Sequence, residues 1–455
     1  MFAGIEKFFL IKERNSKFIT EVAAGVTTFA AMSYIIFLQP MIMSGRLFKI
    51  DTGMDFNALI AGTCIASAFA SILMGALANY PIALAPGMGE NFFFVLTALP
   101  LCAGALGLKA GDAGAWKLAL GVVFLSGLIF LLISFLNIRK LILESISPSL
   151  KSAIVGGIGF FIALIGLRNS GLICIINNNL TMAENMKSAA IAVFFIGLVS
   201  TAVLNIYKVR GSILWGIIIA TVSALLLGET SLVFPFSLPP DPSPVFAQMD
   251  LVNIWPLLYK LLPLILIFTF MDVFDTMGTI IAVGTHAGII KDNKLPNSEK
   301  AFAADACGTL FGSVCGHSTV TAFIESATGV EYGGKTGLTA VVTGLCFIAA
   351  LFAAPFVNMV AHCNSITAPA LVIVGAMMIK SISNIEWDDY SEAAPAFLIL
   401  TGIPFTYSIA DGMTIGFIAY PVIKLLGGKG RQIGWLTYLI GVILLLYLLF
   451  IRNTI

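Results

Sequence analysis

Charge is what this sequence has least of. Lys, Arg, Asp and Glu make up 11% of its 455 residues, against about 25% in soluble globular domains. So little charge does not cover an ordinary globular surface, which excludes a soluble enzyme and a disordered chain. The net charge is +1, so no broad basic field gathers phosphate and a nucleic-acid binder is excluded as well. The seven cysteines are odd in number and form no CxxC pair, which argues against a redox or metal framework. Nucleophile elbow, HExxH, Walker and Rossmann motifs are all missing. Neither ATP bound to this chain nor a resident cofactor is therefore expected to drive it. What the sequence has is apolar residues, 58% of the total, in runs near the roughly 20 residues that cross a bilayer. These features predict an all-α polytopic membrane protein. The chain opens on Glu6, Lys7, Lys12, Glu13, Arg14 and Lys17 rather than on a short apolar core with a cleavage site, so the first span is expected to serve as its own insertion signal.

The runs fall at 18–44, 57–79, 82–98, 116–137, 149–168, 187–206 and 212–228, then at 259–284, 298–315, 317–329, 335–361, 365–382, 392–409 and 411–427. This predicts about 14 segments in two halves, 1–228 and 257–455. The connector 229–256 is rich in proline and carries no Lys or Arg. In each half the third segment (segments 3 and 10) is short and interrupted. Seven is odd, so the second half is inverted relative to the first, and paired interrupted segments in such halves point to a transporter binding site. With the N-terminus in the cytoplasm, inner segments hold 14 Lys and Arg (Arg139, Lys140, Lys291 and Lys294 among them) and outer segments 7, the bias expected of that orientation. A last run, 432–451, falls outside the count, either as a further span or as a surface helix. Asn179-Leu180-Thr181 matches a glycosylation sequon without further support.

The first interruption, Ala83 to Phe92, has Pro86 followed by Gly87 and Gly89. Proline disfavours helix at the residue before it, so 83–86 reads as extended chain with a half-helix starting near Gly87. Glu90 and Asn91 then lie in its first turn. Asn offers a donor and an acceptor, which suits the edge of a heterocycle. In the second interruption, 316–329, the Ser, Thr and Val at 318–321 favour extended chain. A half-helix starting near Ala322 or Phe323 would put Glu325 in its first turn, where the helix end favours a carboxylate. Asp272 and Asp275 sit three apart in an apolar run and share a helix face. An acid at a helix centre costs roughly 2.5–3.5 kcal/mol on insertion scales, so two on one face imply a polar cavity. Asp305 and His317 are weaker candidates. Asp411 marks a turn between two short helices. Phe92, Phe270, Phe274 and Phe323 are placed to stack on a planar ligand, although 35 phenylalanines make packing the commoner role. Membrane-buried acids make a proton gradient the first choice of driving force.

The runs APGMGEN (85–91), MDVFDTMGT (271–279), ADACGTLFGS (304–313), STVTAFIESATGVEYGGKTGLTAVVTG (318–344) and FTYSIADGMTIGF (405–417) resemble the adenine/guanine/hypoxanthine permeases of the nucleobase:cation symporter 2 group. The resemblance covers nearly the whole chain, and the long run at 318–344 is its most specific part. It implies fourteen spans in two inverted repeats, with a core domain (segments 1–4 and 8–11) moving against a gate domain (5–7 and 12–14). It also implies proton-coupled purine uptake across the plasma membrane, and relatives of this fold often form homodimers through the gate domain. By position, Asn91, Asp272, Asp275 and Glu325 match residues used there for substrate binding or proton coupling. The chain departs from the pattern at Glu90, where relatives usually carry an apolar residue, and at His317, where they usually carry Thr. The expected function is a secondary purine importer. The alternatives are a carrier of uracil, xanthine or a small anion on the same fold, or a facilitative channel.

Overall fold

Helix ends in this chain follow local chemistry. Asp55, Ser147, Ser188, Thr336, Asp389 and Ser408 each accept a backbone N–H of the turn that follows, caps worth about 1 kcal/mol apiece. The computed structural model describes residues 2–109, 111–135, 147–176, 179–289, 296–446 and 448–449. Arg139, Lys140, Lys291, Lys294 and the ends of the runs 116–137 and 432–451 lie outside them.

In chain order, α1 (Phe2–Phe8) precedes a first span split into α2 (Phe18–Met32) and α3 (Ile35–Met43). Then come α4 (Phe56–Ala78), strand β1 (Leu84–Pro86), α5 (Met88–Phe93), α6 (Leu99–Leu106) and α7 (Ala113–Phe135). A π-helical turn, Phe94–Ala98, joins α5 to α6, so the helix after the first interruption runs to Leu106 and not only to 98. Next are α8 (Pro148–Asn169), a hairpin of β2 (Ile173–Ile176) and β3 (Asn179–Met182), α9 (Ala189–Ile206) and α10 (Ser212–Leu226). The hairpin holds the sequon residues and has no counterpart in the sequence reading. After the connector come α11 (Ile254–His286), α12 (Ser298–Val314), β4 (Val320–Ala322), α13 (Ser326–Glu331), α14 (Gly337–Ala350) and α15 (Ala354–Ala361). The chain continues with α16 (Asn364–Ile379), α17 (Tyr390–Thr406), α18 (Ile409–Leu426) and α19 (Trp435–Leu446). Among the described residues, nine helices are long and apolar enough to span a membrane.

The helices pack in two groups. One is built on α4, which lies against α12 and α14, with α2 on α14 and α7 on α11 and α12. The other is built on α8, which lies against α16 and α17, with α9 and α10 on α16 and α18 on α17. These are the expected core and gate groupings of an all-α membrane protein. The first group closes through small residues. Gly75 and Gly337 approach backbone to backbone, and a Cβ on either would collide with the other's carbonyl. Glycine in this contact lets α4 and α14 meet without side chains between them.

Overpacking a close contact costs about 1–3 kcal/mol. Gly337→Val is therefore expected to lower the thermal midpoint of the purified protein, measured in detergent by a thermal-shift assay. An unchanged midpoint would mean that the α4–α14 approach is looser than the backbone geometry requires.

Candidate functional site

The two interruptions cross at the centre of the first group. β1 and β4 pair antiparallel, with Leu84 opposite Ala322, Ala85 opposite Thr321 and Pro86 opposite Val320. The ladder is extended by Gly87 N–H donating to Thr319 O (3.0 Å) and Phe323 N–H donating to Ala83 O (3.0 Å). Hydroxyls meet the N–H groups on the outer edges of the two strands and at the end of the ladder. Leu84 N–H donates to Ser71 Oγ (2.9 Å), Ala83 N–H to Ser326 Oγ (3.0 Å), Val320 N–H to Thr309 Oγ1 (3.0 Å) and Ala322 N–H to Thr276 Oγ1 (3.2 Å).

The first half-helix starts where expected, at Met88 with Gly87 as N-cap. The second does not. β4 runs to Ala322, residues 323–325 turn, and α13 begins at Ser326, so Glu325 occupies the cap position and not the first turn. Pairing with β1 keeps the chain extended longer than its side chains suggest.

The candidate residues are placed unequally. Asn91 is fully buried; its Oδ1 accepts from the Ser318 hydroxyl, and its Nδ2 has no partner. Glu325 is half-buried, and its Oε1 accepts from the Tyr34 hydroxyl at 2.7 Å. Asp275 is exposed, and its Oδ2 accepts from Thr321 Oγ1 at 3.3 Å. Asp272, one turn away, is fully buried, with Oδ2 accepting from Thr309 Oγ1 at 2.8 Å. Asp305 is fully buried beside Thr276. Glu90 is buried and folds back over Gly87, so close that a Cβ at residue 87 has no room. These acids lie within one another's electrostatic reach. His317 Nδ1 lies 2.8 Å from Gln39 Nε2 in a fully buried pair. Phe323 is 6% exposed. Phe274 stacks on Phe270 (centroids 6.2 Å, planes 15° apart) and lies under Lys151 Nζ (4.6 Å) of α8.

The crossing is closed toward one side and open toward the other. On the closed side an aromatic chain passes from one helix group to the other. Phe48 meets Phe92 (5.6 Å), Phe92 meets Phe161 (5.9 Å) and Phe161 meets Tyr407 (5.1 Å), each edge to face. Arg168 donates to the Tyr407 hydroxyl, and Asn169 Nδ2 donates to Leu47 O (3.0 Å). On the open side, Asp275, Gly278 and Ile281 form an exposed stripe along α11 toward its C-terminal end, and a Cβ at Gly278 would meet nothing. A carboxylate facing lipid at this depth is costly, so this side of α11 is expected to meet water. Glu325 and the 47% exposed Ile324 face outward on the same break. Tyr34, Gln39, the four strand-capping hydroxyls and the Phe161–Tyr407–Arg168 contact escaped the sequence reading. Only the polar Gln39 inside an apolar run carried a visible signal.

This arrangement defines a class: a multi-pass membrane protein with two broken, crossed segments in one helix group facing a second group. The chain belongs to the Permease family (Xan_ur_permease), whose model matches residues 19–415. It is 42% identical to a putative permease of Methanocaldococcus jannaschii, covering 99% of both chains. It is 36% identical to a guanine/hypoxanthine permease of Bacillus subtilis (98% of this chain, 100% of the relative). An adenine permease of Escherichia coli is 35% identical (94% and 92%). Among solved structures, the transmembrane domain of the cyanobacterial bicarbonate transporter BicA shares the fold with TM-score 0.61 at 15% identity (87% of this chain, 96% of that one). Murine Slc26a9 in its inward-facing state does so with TM-score 0.62 at 11% identity (94% and 72%).

The closed and open sides predict a labelling pattern. With Cys174, Cys307 and Cys346 replaced by Ser, Gly278→Cys should react with a hydrophilic maleimide within minutes, and Phe92→Cys should stay protected. Equal labelling of the two would remove the one-sided opening.

Proposed function

We propose that this chain is a secondary active transporter that imports a purine nucleobase, whether adenine, guanine or hypoxanthine, by proton symport. The observation that carries the reading is the grouping of Asn91, Asp275 and Glu325 around one crossing, Asn91 buried and Asp275 exposed. Carboxylates at this crossing accept ring or exocyclic N–H groups of a base, and the unpartnered amide of Asn91 supplies a donor to a ring acceptor. The relatives named as guanine/hypoxanthine and adenine permeases support a purine as cargo. An acidic pocket disfavours a small anion.

The two halves, 1–228 and 257–455, act as inverted repeats joined by the outer connector 229–256, and the core group moves against the gate group in alternating access. With the N-terminus cytoplasmic in the plasma membrane, the orientation the Lys and Arg bias supports, the open side faces inward. The Phe92–Phe161–Tyr407 contact is then the outer barrier. One of Asp272, Asp275 and Glu325 takes a proton on the outside and releases it inside. Protonation removes a charge whose burial is costly, and this favours passage of the loaded core across the apolar barrier.

Proteoliposomes given labelled adenine, guanine and hypoxanthine, with and without an inward proton gradient, test the reading. Gradient-dependent accumulation of at least one base is expected, with Glu325→Gln abolishing it. Near-normal accumulation by Glu325→Gln would overturn the assignment of Glu325. Equilibration without accumulation would remove symport and leave a facilitative channel. Competition by unlabelled uracil or xanthine would redirect the cargo.

A further inference from the structure

We propose that Tyr34 is a positioning residue for base recognition, bracing one oxygen of Glu325 so that the other faces the incoming base. This rests on the purine-carrier reading above. The first span breaks at Ser33 and Tyr34, between α2 and α3. That break delivers the Tyr34 hydroxyl to Glu325 Oε1, 2.7 Å away, on a side chain only 2% exposed. A tyrosine buried this deeply needs a partner for its hydroxyl, and the partner here is the acid at the mouth of the crossing.

The same short stretch also reaches the far end of the second interruption. Gln39, on α3, lies 2.8 Å from His317 through their side-chain nitrogens. Residues 34–39 therefore contact both ends of the segment 317–325. Their mounting is shared with that segment. The buried Glu21 of α2 accepts the N–H groups of Lys335 (3.0 Å) and Thr336 (3.2 Å) and the hydroxyl of Thr339 (2.6 Å). A Cβ at Gly329 would collide with Thr28 and Ala24 of α2. Tyr34 and Glu325 thus travel on one body, and the hydroxyl is a fixed brace and not a gate. A carboxylate held through one oxygen presents the other in a single orientation. Released from the brace it samples several rotamers, and binding must then fix it at an entropic cost.

Steady-state uptake by Tyr34→Phe tests the proposal, since the ring is kept and only the hydroxyl is lost. KM for the transported base should rise about tenfold, as for loss of one hydrogen bond to a charged group. Vmax should stay within about twofold, and the thermal midpoint of the base-free carrier should hold. Glu325→Asp, which withdraws the carboxylate from the brace, is the second variant. It should raise KM comparably, and adding Tyr34→Phe should change it less than about twofold, because the two act as one unit. A wild-type KM in Tyr34→Phe overturns the proposal. So do losses that simply add in the double variant, and so does a KM change that comes with a falling midpoint. A wild-type protein that accumulates none of the three bases instead removes the purine reading underneath.

Discussion

Two three-residue strands, paired with each other inside a protein that spans a membrane, set the terms for the rest of this structure. A two-stranded patch leaves two edges unpaired, and at bilayer depth there is no water to satisfy them. The chain answers with hydroxyls. Ser71, Thr309 and Thr276 each accept an N–H of an unpaired edge, and Ser326 accepts the Ala83 N–H at the end of the ladder. Extended backbone at this depth therefore requires α4, α11 and α12 to stand within hydrogen-bond reach of the crossing, and the tight glycine contact of α4 with α14 follows from the same crowding.

The acids come with that scaffold. Thr276 adjoins Asp275, and Thr309, which accepts from Val320, also donates to Asp272. Fixing the strand edges thus fixes the carboxylates, and both belong to the same body. The opposing body contributes Phe161, Arg168 and Tyr407 to the closed side. The acids thus sit within one helix group, while the aromatic contacts run between two. An edge-to-face ring contact contributes only about 0.5–1.5 kcal/mol beyond its buried area. Contacts of this size tie the two groups together only weakly.

The sequence made the acids and the first interruption legible, because charge in an apolar run and a Pro-Gly pair are local signals. It also allowed the two helix groups to be anticipated through the resemblance. What it hid was relational. Tyr34 is one aromatic among many until the fold places it 2.7 Å from Glu325. Serines and threonines in membrane helices commonly bond their own backbone, as Thr63 does to Leu59 O, so nothing local separates Thr276 and Thr309 from the rest. In the β2–β3 hairpin, β2 is uniformly apolar, and the four alternating residues of β3 are too short a run to mark a strand alone. The start of α13 was misplaced because cross-strand pairing overrode local preference at 322–325.

That late start breaks the symmetry between the two crossings. After β1 the chain enters helix at once, so Glu90 falls inside the first turn and is driven back over Gly87 into the interior. After β4 a three-residue turn intervenes, and Glu325 stops at the cap, half-exposed toward the opening. The glutamates that follow the two paired strands thus occupy different environments because of one turn. The acid at the cap keeps a partly exposed carboxylate held by the Tyr34 hydroxyl. The acid inside the turn is buried and lies within electrostatic reach of Asp275 and Asp272. Glu90 therefore adds a carboxyl to the crossing from a buried position, and Glu325 adds one from a partly exposed position.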